Sequence, residues 1–346
     1  MINDSTVYDK KDMISTKIPM VNVALAGTVD GGMTPGLTVI AGPSKHFKSA
    51  FALFLAGEFL RKYDDGVVLF YDSEFGTPKA YFDTFQIDRD RVIHSPITNI
   101  EMFKHDIMKQ ISEIARTDKV FILVDSIGNL ASAKEVNDAL EGKDVTDMTR
   151  AKALKSLFRM VTPHLSLLDI PMVVINHTYK TLEMYSKDVV GGGTGVYYSA
   201  DNIWIVGRQQ DTEAEKAEGE KKKGKAKLVG YDFIINIEKS RYVKEKSKIT
   251  ISVNFADGIN QWSGLFDLAM EAGLIVTGKQ GWYIVADDDG VIPEDAKSHR
   301  RDDLEYNAEF WRKLLRDKKF IDFIHDKYSL DGGNMLSNFT NDEVQV

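Results

Sequence analysis

Short apolar runs recur along the first two-thirds of the chain, each closed by polar residues and followed by a stretch of helical period. LTVIA (37–41), VVLFYD (67–72), VFILVD (120–125) and MVVIN (172–176) are nearly continuous in apolar content. That is the pattern of strands covered on both faces of a parallel sheet. A shorter strand is expected at Val92-Ile93. Between these runs, residues 50–63 predict a buried helix ending near Asp64-Asp65-Gly66, and residues 78–85 a short one. Ile100, Phe103, Ile107, Ile111 and Ile114 mark an amphipathic helix by their spacings of three and four. A long helix is expected from Asp147 through Leu154, Leu157, Phe158 and Val161, kinked or interrupted at Pro163.

Later strands, at 202–206, 231–237 and 249–255, alternate apolar and polar residues, which predicts an antiparallel meander at one edge. A helix at 265–272, a strand at 281–285 and an amphipathic helix or helix pair at 305–328 close the chain. Polar segments separate these elements. Residues 1–16 lack periodicity and read as an arm or a truncated leader; glycines and Pro35 fill 17–36 with turns. Residues 131–146 read as a mobile loop, 180–195 as a second loop ending in GGGTG, and the Lys- and Glu-rich 211–227 as a solvated, disordered hairpin loop. The expected division is an arm (1–16), an α/β core (17–260) with a mostly parallel, doubly wound sheet, and a small C-terminal subdomain with a tail (261–346).

Composition narrows this picture modestly. The 346 residues include no Cys, which excludes disulfides and thiolate metal sites, and no apolar run reaches the 18 or more residues of a membrane helix. The polar N-terminus is no secretory signal, so a reducing cytoplasm is expected and a membrane partner is not. A net charge of −8 argues against a uniformly basic nucleic-acid coat but leaves room for cations lining one groove.

Candidate chemistry gathers where the predicted strands end. After LTVIA come Gly42, Pro43, Ser44, Lys45, His46, Phe47, Lys48 and Ser49, then an apolar helix start. Strand, tight loop and helix N-terminus are the setting of a phosphate-binding loop, in which backbone N–H groups and the helix dipole hold the anion. Lys48 would meet the β- and γ-phosphates of a nucleotide and Ser49 would hold Mg²⁺. Phe47 stands where the consensus has its second Gly, which predicts a right-handed backbone there, because αL costs a bulky residue about 1–2 kcal/mol. Asp125 ends a strand as a Walker-B acid does, a second candidate Mg²⁺ ligand. Glu74, two residues beyond another strand, is placed to act as general base, with Asp72 fixing its loop. His177 follows the fourth strand and could sense the γ-phosphate. Each of these alone is also compatible with an ordinary turn residue; their convergence on one sheet edge is the argument. Arg150, Lys152, Lys155 and Arg159 line one helix stretch after a loop, either a solvated face or a phosphodiester-binding one.

The order of GPSKHFKS, FYDSEFG, FILVDS, DMTRAKALKSLFRMVTP, INHTY, GGGTGVYYSAD and EKSRYVKEKS resembles the RecA-type recombinases, and within them the T-even phage members, over roughly residues 17–285. The phage members share a Phe in place of the second loop Gly. The resemblance implies a RecA-like ATPase core and an ATP- and Mg²⁺-dependent protein. Such a protein forms a filament on single-stranded DNA and exchanges strands with homologous double-stranded DNA, in recombination, repair and replication. It implies Lys48 and Ser49 as the loop pair, Asp125 as the Walker-B acid and Glu74 as the catalytic glutamate. His177 falls at the γ-phosphate sensor, where bacterial members carry Gln. Tyr81 matches an aromatic stacking on adenine; Lys239 and Arg241 match two lysines reaching ATP on the neighbouring subunit. The loops 131–146 and 180–195 (with Gly191, Gly192, Gly193 and Thr194) match the two DNA-binding loops, and Arg159 a helix cation on the DNA backbone. Phage single-strand-binding and mediator proteins, and the infected host's cytoplasm, are implied as partners and location. A ring-forming helicase-type motor and a non-hydrolysing paralogue acting as assembly factor remain the alternatives.

Overall fold

The structure is a computed structural model that describes residues 11–143, 149–181, 188–213, 227–279, 281–286, 291–293 and 296–330. Along the chain run α1 (Pro19–Ala26), β1 (Gly36–Ala41), α2 (Lys48–Lys62), β2 (Val67–Asp72), α3 (Lys79–Thr84), β3 (Val92–Pro96), α4 (Ile100–Glu113), β4 (Val120–Asp125), α5 (Ala133–Leu140), α6 (Thr149–Leu167) and β5 (Pro171–Asn176). They continue with β6 (Thr178–Lys180), β7 (Asp188–Val190), α7 (Thr194–Ser199), β8 (Asn202–Glu213), β9 (Lys227–Ser240), β10 (Lys248–Asn254) and β11 (Gly258–Ile259). The C-terminal part holds α8 (Leu265–Glu271), β12 (Ile275–Thr277), β13 (Tyr283–Val285), β14 (Ser298–His299), α9 (Arg301–Glu305), α10 (Ala308–Leu314) and α11 (Lys318–Tyr328).

Among the described residues nine strands form one sheet in the order β11-β10-β9-β8-β1-β5-β4-β2-β3. Its β8-β1-β5-β4-β2-β3 part is parallel; β9, β10 and β11 add antiparallel strands at one edge, as the alternation predicted. The apolar runs are continuous because each parallel strand feeds two cores. Val68 and Phe70, Phe121 and Leu123, and Val173 and Ile175 face α2, and α1 joins the same core against β10. Leu69 and Tyr71, Ile122 and Val124, and Met172 and Val174 face α4 and α6. The first core runs on into the C-terminal part through Leu265, Trp311, Phe320 and Ile324. At the other end of the chain, Ile14 is buried and pairs with Met33, so residues 11–16 lie against the core.

Several expectations needed correction. Residues 17–36 are not filled by turns: Pro19–Ala26 form α1, with Pro at its first turn and Gly27 closing it in the left-handed conformation. Within the expected second loop, Asp188–Val190 form β7 and pair with β6. Residues 131–146 are not simply a loop: they contain α5, started by a capping box in which the Ser132 hydroxyl accepts from the Glu135 N–H and Glu135 returns to the Ser132 N–H. The polar composition hid a helix whose start is held by local hydrogen bonds. Nor does α6 break at Pro163; it runs on to Leu167. The proline removes one bond, to the carbonyl of the exposed Arg159, where water can replace it. Residues 214–226, most of the expected hairpin loop, lie outside the described residues, as does the expected helix start at Asp147; the flanking Glu213 and Lys227 are paired in the β8–β9 ladder.

Candidate nucleotide site

The β1–α2 turn has the predicted form of strand, loop and helix, but one detail is reversed. Phe47 adopts φ 61° and ψ 15°, left-handed, as does Lys45 at φ 63°. The expected cost of about 1–2 kcal/mol per residue is met by packing outside the loop. The Phe47 ring stacks on Phe233 of β9 (centroids 4.6 Å apart, planes at 19°) and meets the edge of Phe51 at 5.3 Å. Such pairs contribute about 0.5–1.5 kcal/mol each beyond area burial. Gly42 lets the loop pass β8, since a Cβ there would sit 2.8 Å from the Val206 carbonyl. Lys48 is buried, and its Nζ donates to the Pro43 carbonyl at 2.7 Å, across the concave side of the loop. Burial lowers its pKa, opposed by the charges of Glu74 and Asp125.

Parallel register brings the other strand ends level with this loop. Ala41 pairs with Asn176, and Asp72 with Asp125. Asp125 is buried, and burial pushes its pKa up to about 6; the Ser49 hydroxyl bonded to it pulls the value down, while Glu74 and Asp72 push it further up. Among the described residues Asp125 Oδ1 has no hydrogen-bond partner. A buried carboxylate with one orphaned oxygen beside a Ser hydroxyl suits Mg²⁺, which takes one or two protein ligands and completes its shell with phosphate and water. Among the described residues no cluster of three or more acidic or His ligands exists, so an all-protein cage is not on offer there.

Glu74 is the hub. Its Oε1 accepts from Ser126 Oγ (2.8 Å) and Asn129 Nδ2 (3.1 Å), and His177 Nε2 lies 3.0 Å away. Asp72 holds the turn beneath it, accepting from the N–H groups of Glu74 (3.1 Å) and Phe75 (2.8 Å). Gly128 is needed for this approach, since a Cβ would lie 2.3 Å from His177 Cδ2. Sequence reading missed Ser126, Gly128 and Asn129. Their signal was the polar SIGN directly after β4.

A cavity of about 800 Å³ joins Ser44–Ser49 (44–49), Glu74, Asp125 and His177 to a more apolar end walled by Phe54, Phe85 and Ile259. Tyr81, also on its wall, is 47% exposed and so offers a ring face.

The helix cations divide. Arg150 turns inward, donating to the carbonyls of Ile127, Gly128 and Leu130 at 2.8–2.9 Å, and so braces the turn that carries Asn129. Lys152, Lys155 and Arg159 are exposed. Both α5 and α7 pack on α6, so the two expected DNA loops flank this stripe. Gly191 is tied to the site: its N–H donates to the His177 carbonyl (3.0 Å) and its carbonyl accepts from Asn176 Nδ2 (2.7 Å). Gly192 and Gly193, at φ 88° and 74°, turn the chain into α7, which Thr194 opens.

Lys239 and Arg241 do not join the site. Lys239 lies at the end of β9 and Arg241 just beyond it; Ser240 of β9 pairs with Asn202 at the start of β8, the end of the sheet away from the β1–α2 turn. Lys239 Nζ donates to the carbonyls of Tyr197 (2.9 Å) and Ala200 (2.8 Å) at the end of α7, and Arg241 pairs with Asp201 at 2.6 Å.

Comparison with known proteins places the chain in a family. The family model of the C-terminal domain of the bacteriophage T4 recombination and repair protein matches residues 262–324. The whole T4 recombination and repair protein is 47% identical over 329 residues, covering 94% of this chain and 81% of that protein. RecA of Arthrobacter sp. (strain FB24) is 25% identical over 308 residues (87% and 82%), and RecA of Nocardioides sp. 24% over 309 (86% and 81%). The chain belongs to the RecA-type recombinase family, in the branch of the T4 recombination and repair protein.

Proposed function

We propose that this chain is an ATP-dependent recombinase that assembles as a helical filament on single-stranded DNA and pairs that strand with homologous double-stranded DNA. DNA-stimulated ATP hydrolysis loosens the filament. The observation that carries this reading is the double tether on Glu74 Oε1. Asn129, just before α5, and His177, whose carbonyl holds Gly191, reach the same oxygen, so an acid at the nucleotide cavity is wired to both candidate DNA loops. Ordering either loop on DNA changes the surroundings of Glu74.

The chemistry follows from the residues. Loop N–H groups and the start of α2 hold the phosphates, and Lys48 exchanges the Pro43 carbonyl for a phosphate oxygen. Ser49 and Asp125 would hold Mg²⁺, which when bound neutralises charge on the phosphates. With three groups around Oε1, Glu74 takes the water proton on Oε2. Tyr81 stacks on the base. Lys152, Lys155 and Arg159, with the Gly191–Thr194 turn (191–194), grip the DNA backbone; base pairing supplies sequence recognition. Lys239 and Arg241, too far round the sheet for their own site, reach the ATP of the adjoining subunit. Phage single-strand-binding and mediator proteins are the accessory partners, in the host cytoplasm; among the described residues no helix is long and apolar enough to cross a membrane.

Electron microscopy with single-stranded DNA and a non-hydrolysable ATP analogue tests the proposal. Helical filaments are expected, and Lys48→Ala should lose them together with ATP hydrolysis. Closed rings would assign the chain to the motor class instead.

A further inference from the structure

The consensus glycine of a phosphate loop tolerates the left-handed backbone by itself. Here that position carries Phe47, and Lys45 is left-handed as well. Something outside the loop must hold both residues there. Two contacts from the antiparallel edge of the sheet do so. Phe47 stacks on Phe233, and the Arg208 guanidinium donates to the Lys45 carbonyl at 3.1 Å while lying 4.5 Å from the centre of the Tyr231 ring. Arg208 and Phe233 are register partners in the β8–β9 ladder, and Tyr231 touches Phe233 at 6.0 Å, so one patch of that hairpin supplies the whole brace.

Resting on the reading of residues 42–49 as the phosphate loop, we propose that Arg208 is a positioning residue for nucleotide binding: seated on Tyr231, it clamps the Lys45 carbonyl and, with the Phe47–Phe233 stack, keeps the loop N–H groups preorganised. The pieces depend on one another. Removing the clamp lets a strained Phe47 relax toward a right-handed backbone, which turns N–H groups away from the anion. With glycine at position 47 that drive vanishes, and the clamp becomes nearly dispensable. An arginine that simply attracted phosphate would matter equally with either residue.

The test is a double-mutant cycle read by a fluorescent ATP analogue on the full chain without DNA. Arg208→Met keeps the stem and removes the donors; it should weaken affinity about tenfold, as loss of a stacked cation and its hydrogen bond would. The loss should fall on KM for ATP rather than kcat. In a Phe47→Gly background the same change should cost less than about threefold. Tyr231→Ala should imitate Arg208→Met, whereas Tyr231→Phe, which keeps the ring face, should bind as the native protein does. Native affinity in Arg208→Met, equal losses in both backgrounds, or equal losses in Tyr231→Phe and Tyr231→Ala would each overturn the clamp. Lys48→Ala is the control. If it fails to bind while Arg208→Met binds normally, the clamp alone is wrong; if Lys48→Ala binds normally, the phosphate-loop reading itself falls.

Discussion

The two ends of the sheet use their charges in opposite ways. At the carboxyl ends of β1, β2, β4 and β5, titratable groups are gathered and left partly unsatisfied: a carboxylate oxygen of Asp125 has no partner among the described residues, and Lys48 leans on a carbonyl of its own loop. At the far end, Lys239 and Arg241 are satisfied within the chain, one capping α7 and the other paired with Asp201. Unsatisfied buried charge is costly and persists where a ligand completes it. Satisfied charge at a partly exposed edge can change partners at little cost, because the groups it leaves are taken up by water. On the proposed reading, the first end binds nucleotide and the second is recruited by an adjoining subunit.

The largest effect that can break this contrast is expected at Glu74. Glu74→Gln keeps the hydrogen-bond acceptor on Oε1 but not the base, so steady-state ATP hydrolysis should fall about 10²–10⁴-fold while nucleotide and DNA binding persist. Unchanged hydrolysis would remove Glu74 from the chemistry. Next comes the far end. Lys239→Ala with Arg241→Ala should leave nucleotide affinity under non-assembling conditions native, yet reduce DNA stimulation of the ATPase about tenfold or more. Because Lys239 also caps α7, a stability loss of about 1 kcal/mol should accompany it, visible as a lower Tm. Equal loss of monomer affinity would mean that the pair supports its own subunit's site.

The smallest effect sharpens the contrast through pH. With its native pKa raised to about 6 from an unfolded value of 3.8, Asp125 holds its proton more tightly in the folded chain. Stability from this group is therefore lost as pH rises from about 4 to 6, and the full penalty applies above that. In nucleotide-free protein Asp125→Asn should raise stability by about 1–2 kcal/mol at pH 8, and the gain should fade by pH 4. A destabilising substitution at pH 8 would show that the carboxylate is compensated inside the fold.

Much of the parallel half was readable in advance. β2 and β4 have the predicted ends, and the candidate residues Lys48, Ser49, Glu74, Asp125 and His177 meet because parallel register sets successive strand ends side by side. Hydrophobic period and strand-end chemistry are local properties, and the chain order of such a fold carries them into space. α5 was missed because its start is held by side-chain-to-backbone bonds in a polar segment, where period gives little signal.

The amino-acid sequence alone thus determined the fold class, the family and the charged groups of the candidate nucleotide site, since each depends on residue type and order along single elements. Only the tertiary structure decided the left-handed backbone of Phe47, the inward turn of Arg150 and the remoteness of Lys239 and Arg241 from their own phosphate loop. All three depend on groups far apart in the chain: Phe233 beneath Phe47, the carbonyls of 127–130 beneath Arg150, and the antiparallel direction of β9. A side chain's conformation is set by what packs against it, and no local pattern encodes that.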